Sequence, residues 1–329
     1  MAHDSARLER VKNAIGAITL LLACASAAAQ QWPARPVRII VPFPPGQAAD
    51  IIARTVAERL TTAFGQQFIV DNRPGAGSVV GSELGAKAAP DGYTFLAGGT
   101  SALAINVNLY RKLPYDTLRD FAPITNMTEV AMILVVNPSV AATNAQQLVA
   151  LAKQRPGEVI YGSSGAGSVA HLAIELLGSM AGIKLRHIPY KGSVPNITDL
   201  IAGQITMTAE TTPTVLPHVK AGKLRAIGAS PNTRVPFMPD VPTLDEQGVK
   251  GYDVRAWTAL VAPKGTPVAI LDRMSREVVR IVTAADMQKR LFDLQLAPIG
   301  STREEFAAYL KSEIEKWGHA VKLSGATVD

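Results

Sequence analysis

The run Gly162-Ser163-Ser164-Gly165-Ala166-Gly167-Ser168 packs three glycines and three hydroxyls into seven residues. Such a loop lets backbone N–H groups approach an anion closely. It lacks the last glycine of a nucleophile elbow, so Ser164 reads as a binding or turn hydroxyl rather than a nucleophile. Four further segments share the character: Pro42 to Asp50, with Phe43, Pro45, Gly46, Gln47 and Asp50; Gly98-Gly99-Thr100-Ser101; Tyr190-Lys191-Gly192-Ser193; and Glu210-Thr211-Thr212-Pro213. Any one of them has the composition of an ordinary turn. Together, each placed between a strand and a helix, they point to carboxylate-type binding, because helix N-termini beyond the carboxyl ends of strands carry unpaired N–H groups and partial positive charge.

Glu210 is an acid in an otherwise neutral loop. Facing the cleft, it would repel a second carboxylate or pair with a ligand ammonium; the competing reading is a helix cap or a salt bridge. His171, one turn beyond the serine loop, either orients that loop or serves its own helix, and His187 reads as a core or edge residue of a strand. None of the histidines has the close spacing of a zinc site. Gly75-Ala76-Gly77-Ser78-Val79-Val80-Gly81 sets its last glycine one residue too far for a dinucleotide fingerprint, and there is no phosphate-binding GxxxxGK[ST] loop. No cofactor and no metal are expected.

The elements that must position these residues alternate between β-branched runs and helical stripes, the pattern of an α/β fold with parallel sheets. Strands are expected at Val37 to Val41, Phe68 to Val70, Tyr93 to Ala97, Ala131 to Val136, Val159 to Tyr161, Leu185 to Ile188, Ile205 to Thr208, Leu224 to Gly228 and Trp257 to Val261. Asp50 is expected to cap a helix carrying Ile52, Val56, Leu60 and Phe64 on one stripe, with Gly65 as its stop. Further helices are expected from Ser78, along Val169, Leu172, Leu176 and Met180, and over 270–283 and 303–322.

At 329 residues the chain exceeds what one core usually serves, so two lobes and a cleft are expected. Residues 30–130 and 229–329 would form the first lobe and 131–228 the second, with the crossing around the Ala131 to Val136 strand and Asn137-Pro138. The last hundred residues would pack on the first lobe or bridge both, the first lobe being favoured. Residues 1–29 read as a signal peptide: Arg7, Arg10 and Lys12, an apolar run from Ala14 to Ala23, then small residues before Gln30. Cys24 also resembles a lipid-attachment site, for which Leu22 is a poor fit. Removal of the peptide leaves no cysteine and an excess of five basic residues. The bases are scattered, which argues against a nucleic-acid face.

Several segments together resemble the receptors of tripartite tricarboxylate transporters, the Bug-type solute-binding proteins. They are Arg35-Pro36-Val37-Arg38-Ile39-Ile40-Val41-Pro42-Phe43, Asn72-Arg73-Pro74-Gly75-Ala76-Gly77, Pro90-Asp91-Gly92-Tyr93-Thr94, Leu113-Pro114-Tyr115-Asp116, Pro189-Tyr190-Lys191-Gly192, Pro239-Asp240-Val241-Pro242-Thr243 and Ala262-Pro263-Lys264-Gly265-Thr266-Pro267. The resemblance implies a periplasmic Venus-flytrap fold of type II that closes on one small carboxylate and performs no chemistry. Under it the grip falls to the loops after the first strand and around Ser163, with Phe43, Pro45, Gly46, Gln47, Asp50, Gly99, Thr100, Ser101, Ser163, Ser164, Gly165, Gly167, Ser168, His171, Tyr190, Lys191, Glu210 and Thr211 as the candidate site. The implied partners are membrane transport components or a sensor, and a monomer is favoured. Two departures bear on the ligand. Gln47 stands where the family has a second glycine, implying either a strained left-handed backbone or a reshaped loop, and Glu210 stands where an aspartate is common. A hydrolase or isomerase using Ser164 or Glu210 is the competing function.

Overall fold

The computed structural model describes residues 32–328; the expected signal peptide, its cleavage point and Cys24 lie outside them. A ten-stranded mixed sheet runs through the molecule in the order β2-β1-β3-β9-β4-β7-β5-β6, with β8 and β10 also paired to β4. The strands are β1 Val37–Val41, β2 Phe68–Asn72, β3 Thr94–Gly99, β4 Phe121–Val136, β5 Ile160–Ser163, β6 Arg186–Pro189, β7 Met207–Thr211, β8 Arg225–Ala229, β9 Arg255–Pro263 and β10 Ala297–Pro298. The helices of at least two turns are α1 Ala48–Phe64, α2 Val79–Ala86, α3 Ala145–Gln154, α4 Val169–Ala181, α5 Ser193–Ile201, α6 Thr212–Lys220, α7 Val268–Thr283, α8 Ala285–Asp293 and α9 Arg303–Ser324.

Strand β4 organises the fold. Its first eleven residues run along β9 and its last five pair with β7, the last four of them also with β8, the ladder partner changing from Arg255 at Ala131 to Thr211 at Met132. The chain returns beside this point, where Ser230 N donates to Met132 O and Val254 N to Ser230 O. Alternation along β4 gives both faces a core: Ile133 and Val135 join Ile197, Leu200 and Val215, whereas Met132, Leu134 and Val136 join Tyr161, Leu172 and Trp317. A separate cluster under α1 and α7 unites Val37, Ile39, Val41, Ile52, Val56, Leu60, Met274 and Val278.

Strand directions bring the functional loops together. β3 and β4 each run antiparallel to β9 and therefore run the same way, with β1 and β2 parallel to β3. β7 opposes β4, and β5 and β6 follow β7. The carboxyl ends of β1 to β3 thus point at those of β5 to β7. Gly99 is level with Thr128 through Thr258, and Thr211 with Met132. Four residues of strand are a rise of roughly 13 Å.

Several sequence expectations are corrected. β4 begins at Phe121, ten residues ahead of the expected Ala131 to Val136 strand, and β3 takes in Gly98 and Gly99, because both strands find an antiparallel partner in β9. β7 extends through Glu210 and Thr211, which pair with Ile133 and Met132, so neither belongs to a loop. The cap of α1 is Gln47, with Asp50 inside the first turn, while Gly65 ends the helix at φ 66° with its N–H on Thr61 O. A 3-10 turn over Ala76–Ser78 precedes α2. α9, started by a Thr302–Glu305 capping box, packs on β4 and also on α4 of the other sheet half, so the C-terminal region bridges.

Candidate functional site

In the first loop Asp50 is 3% exposed and reaches back to accept from Gly46 N at 2.8 Å, while Arg54 Nε and Asn72 Nδ2 each donate to its other oxygen at 2.9 Å. Burial works to raise its pKa, but the bonds from Gly46, Arg54 and Asn72 outweigh it and hold the carboxyl below its usual value. Asn72 Nδ2 also donates to Phe43 O at 3.1 Å, fixing the loop from both ends. Gly46 takes the left-handed conformation at φ 83°, whereas Gln47 is extended at φ −78°. The loop is therefore built around the glutamine without a strained backbone there. Pro45, Gly46 and Gln47 are exposed and Phe43 is half-buried.

At the end of β3, a Cβ on Gly99 would stand 2.9 Å from Trp257 O and 3.6 Å from the Phe43 ring. Glycine here lets the first loop lie on the sheet. Thr100 is buried with its hydroxyl accepting from Trp257 N at 2.9 Å, so it serves the sheet. Ser101 is half-buried at the start of a π turn over Ser101–Ile105.

The serine loop is held from inside. Ser163 is fully buried. Its hydroxyl lies 2.7 Å from His187 Nε2, 3.0 Å from Gly165 O and 3.2 Å from Gly165 N, and so faces the protein rather than the cleft. Gly167 N donates to His171 Nδ1 at 3.0 Å, and Ser168 caps α4 by accepting from His171 N at 3.2 Å. Gly165 and Gly167 have φ of 141° and 73°, which only glycine adopts readily. Ser164 and Gly165 are half-buried.

Glu210 is 4% exposed, and what it meets is not a base but two neutral side chains in the first turn of α5. Ser193 Oγ donates to it at 3.0 Å and Asn196 Nδ2 at 3.1 Å. Burial pushes its pKa up against those two bonds and one from the Thr211 backbone. Asn196 Nδ2 also donates to Thr208 Oγ1 at 2.9 Å, and Thr208 in turn to Gly162 O at 2.8 Å. Thr211 precedes α6 with its hydroxyl 2.9 Å from that of Thr214. Tyr190 donates to Asp199 at 2.8 Å; burial and that carboxylate raise its pKa to about 12. Lys191 is exposed. Sequence reasoning read His187 only as a core or edge residue of a strand, placed Ser193 in a loop without a role of its own and gave none to Asn72 or Asn196; their partners lie far away in the chain, and no spacing rule could have found them. Among the described residues no group of three or more His, Cys, Asp or Glu could hold a metal, and no helix is long and apolar enough to cross a membrane.

Two sheet halves with opposed carboxyl ends, each presenting small-residue loops and helix N-termini, define a two-lobed binding protein of the periplasmic class. Residues 52–325 match the tripartite tricarboxylate transporter family receptor, TctC, and the chain belongs to that family of solute-binding receptors. It is 36% identical to Protein BugT of Bordetella pertussis over 92% of this chain and 93% of that one. Among solved structures it is similar to R. palustris Rpa4515 with adipate, at 34% identity and a TM-score of 0.80 over 91% of this chain and all of that one. It is also similar to MatC of Rhodopseudomonas palustris with bound malate, at 29% identity and a TM-score of 0.75 over 88% of this chain and all of that one.

Proposed function

We propose that this protein is a periplasmic receptor that captures one small carboxylate, a mono- or dicarboxylate, aromatic acid or amino acid, between its lobes and presents it to the membrane components of a tripartite tricarboxylate transporter. The lobes are residues 30–130 with 229–329, and 131–228, hinged where β4 and the returning segment exchange partners. The observation that carries the reading is the convergence of the carboxyl ends of β1 and β3 on those of β5 and β7, which directs the first turns of α1 and α4 into one gap. Their N–H groups suit an anion without a counter-cation. The adipate and malate held by two structural neighbours are of this ligand class. Export follows from the signal-peptide reading, and a monomer fits a receptor that opens and closes. A sensor could replace the transporter as partner.

Enzymatic use of the cleft is disfavoured by the disposition of its reactive groups. The competing reading invokes Ser164 or Glu210: the Glu210 oxygens are engaged by Ser193 and Asn196, and the serine that stands beside a histidine in this loop is Ser163, not Ser164, with its hydroxyl buried and turned onto Gly165.

Thermal unfolding with adipate, malate, amino acids and the corresponding neutral amides tests the reading. A ligand at about 100 times its Kd adds about 2.7 kcal/mol. Stabilisation by an acid and not its amide, with the acid recovered unchanged, is the expected result. If no acid shifts the transition, and mass spectrometry of the denatured protein finds no co-purified acid, the carboxylate assignment is wrong.

A further inference from the structure

The rings of His171 and His187 stack face to face, with centroids 3.9 Å apart and planes 7° from parallel. Tyr161 continues the stack, 4.8 Å from His187 at 17°. The three residues come from α4, β6 and β5, and each imidazole ends on the serine loop. His171 Nδ1 accepts from Gly167 N at 3.0 Å, so its proton sits on Nε2 and Nδ1 must be bare. His187 Nε2 lies 2.7 Å from Ser163 Oγ, which in turn binds Gly165 N and O. The loop that carries Ser164 to Ser168 is thus tied at Gly165 through His187 and Ser163, and at Gly167 through His171.

We propose that His171 and His187 are positioning residues of the ligand site: a stacked, neutral imidazole pair that holds the Ser163–Ser168 loop in its carboxylate-binding conformation and releases it in acid. The role in binding rests on the receptor reading above; the hold on the loop does not. Protonation of His171 places a hydrogen where the Gly167 N–H points, converting an acceptor into a second donor. Protonation of His187 leaves its bond to Ser163 feasible but sets a cation on the face of its neighbour. The pair therefore answers to acid mainly through His171.

The titratable groups facing the pair are Tyr161 from β5 and, through the Tyr161 hydroxyl, Glu175 of α4; the C-terminal α9 faces the groove beside Glu175 with the apolar Leu323. Burial, and for His171 also the neighbouring His187, pulls both imidazoles down to about 4. A depressed histidine pKa means that the folded loop keeps its full stability above the unfolded value of about 6.5 and loses it progressively as the pH falls toward 4.

The test uses the whole protein, with amide hydrogen exchange at Gly167 as one readout and adipate titration as the other. His171→Asn keeps an acceptor near the Nδ1 position and does not titrate; His171→Leu removes the acceptor. The expected result is that acidification from about pH 6.5 to 4 lowers Gly167 protection in the parent by about tenfold but not in H171N, and that H171L has lost a similar factor already at neutral pH. Adipate is protonated equally in every sample, so the fall in its affinity in acid should be about tenfold steeper for the parent than for H171N. If H171N follows the parent through the acid range, or H171L leaves Gly167 as protected as before, the pair does not position the loop. Failure of adipate and the other acids to bind the parent at neutral pH would count against the receptor reading, while the exchange result would still decide the hold on the loop.

Discussion

Gly167, in the loop after β5, lies against Leu109, the last residue of a one-turn helix that follows β3: a Cβ on Gly167 would stand 2.2 Å from Leu109 Cδ2. Segments that follow the carboxyl ends of the two sheet halves touch at this point. Gly167→Ala should therefore disfavour this contact between the two segments, with overpacking of ~1–3 kcal/mol added to a left-handed φ that costs an alanine ~1–2 kcal/mol. Leu109→Ala removes the obstacle, so in that background only the backbone cost should remain. A double-mutant cycle on ligand affinity measures the difference; equal effects of Gly167→Ala in both backgrounds would mean that the contact plays no part in ligand binding.

Glu210 is buried with hydrogen-bond donors but no cation. Its pKa is raised above 4.5, so its favourable contribution is complete below that value and fades as the pH rises through the folded pKa. Glu210→Gln does not titrate. Its melting temperature relative to the parent should therefore climb from about pH 4 to 8, and the variant should tolerate ligands with an extra carboxylate that the parent rejects. A difference that stays flat with pH, with ligand ranking unchanged, would assign Glu210 a purely structural role.

Asp50 has the opposite sign. Its pKa is held below 3.8, so its contribution is complete above that value and disappears as the pH drops through the folded pKa. Asp50→Asn should cost ~1.5–3 kcal/mol at neutral pH, the usual range for hydrogen bonds to a charged group, and the gap to the parent should close in strong acid. Urea unfolding at several pH values tests this. Gly46 should exchange faster in the variant, since it loses the carboxylate that holds its N–H.

Glu313, 2% exposed, joins β9 to the bridging α9: its Oε2 accepts from Trp257 Nε1 at 2.8 Å and Trp317 Nε1 at 2.9 Å, and Lys316 pairs with its other oxygen. Glu313→Leu would bury two indole N–H groups without partners, at ~1–3 kcal/mol each. Glu313→Gln, which can still accept from both, should cost less than half as much. Tryptophan fluorescence through a denaturant transition reports both values.

Local signals were legible where local physics decides. The stripe of Ile52, Val56 and Leu60 with Gly65 as its stop predicts α1, and the structure closes that helix with a left-handed Gly65. The stripe of Val169, Leu172, Leu176 and Met180 likewise forms α4. The strands missed in part were those whose extent depends on a distant partner: β4 runs sixteen residues because β9, β7 and β8 supply ladders along it, and β7 keeps Glu210 in the sheet because Ile133 stands opposite.

By itself the sequence determined the alternation of strands and helices, the small-residue loops between them and the motifs of a receptor family, because glycine conformation, capping and hydrophobic period are properties of neighbours in the chain. Only the tertiary structure decided what those loops do. It turned Ser163 inward onto Gly165, placed His187 from β6 on His171 from α4, and gave Glu210 neutral partners from α5. These outcomes depend on strand order and direction, which bring together residues tens of positions apart, and the energies of burial and hydrogen bonding that set their protonation exist only once those surfaces meet.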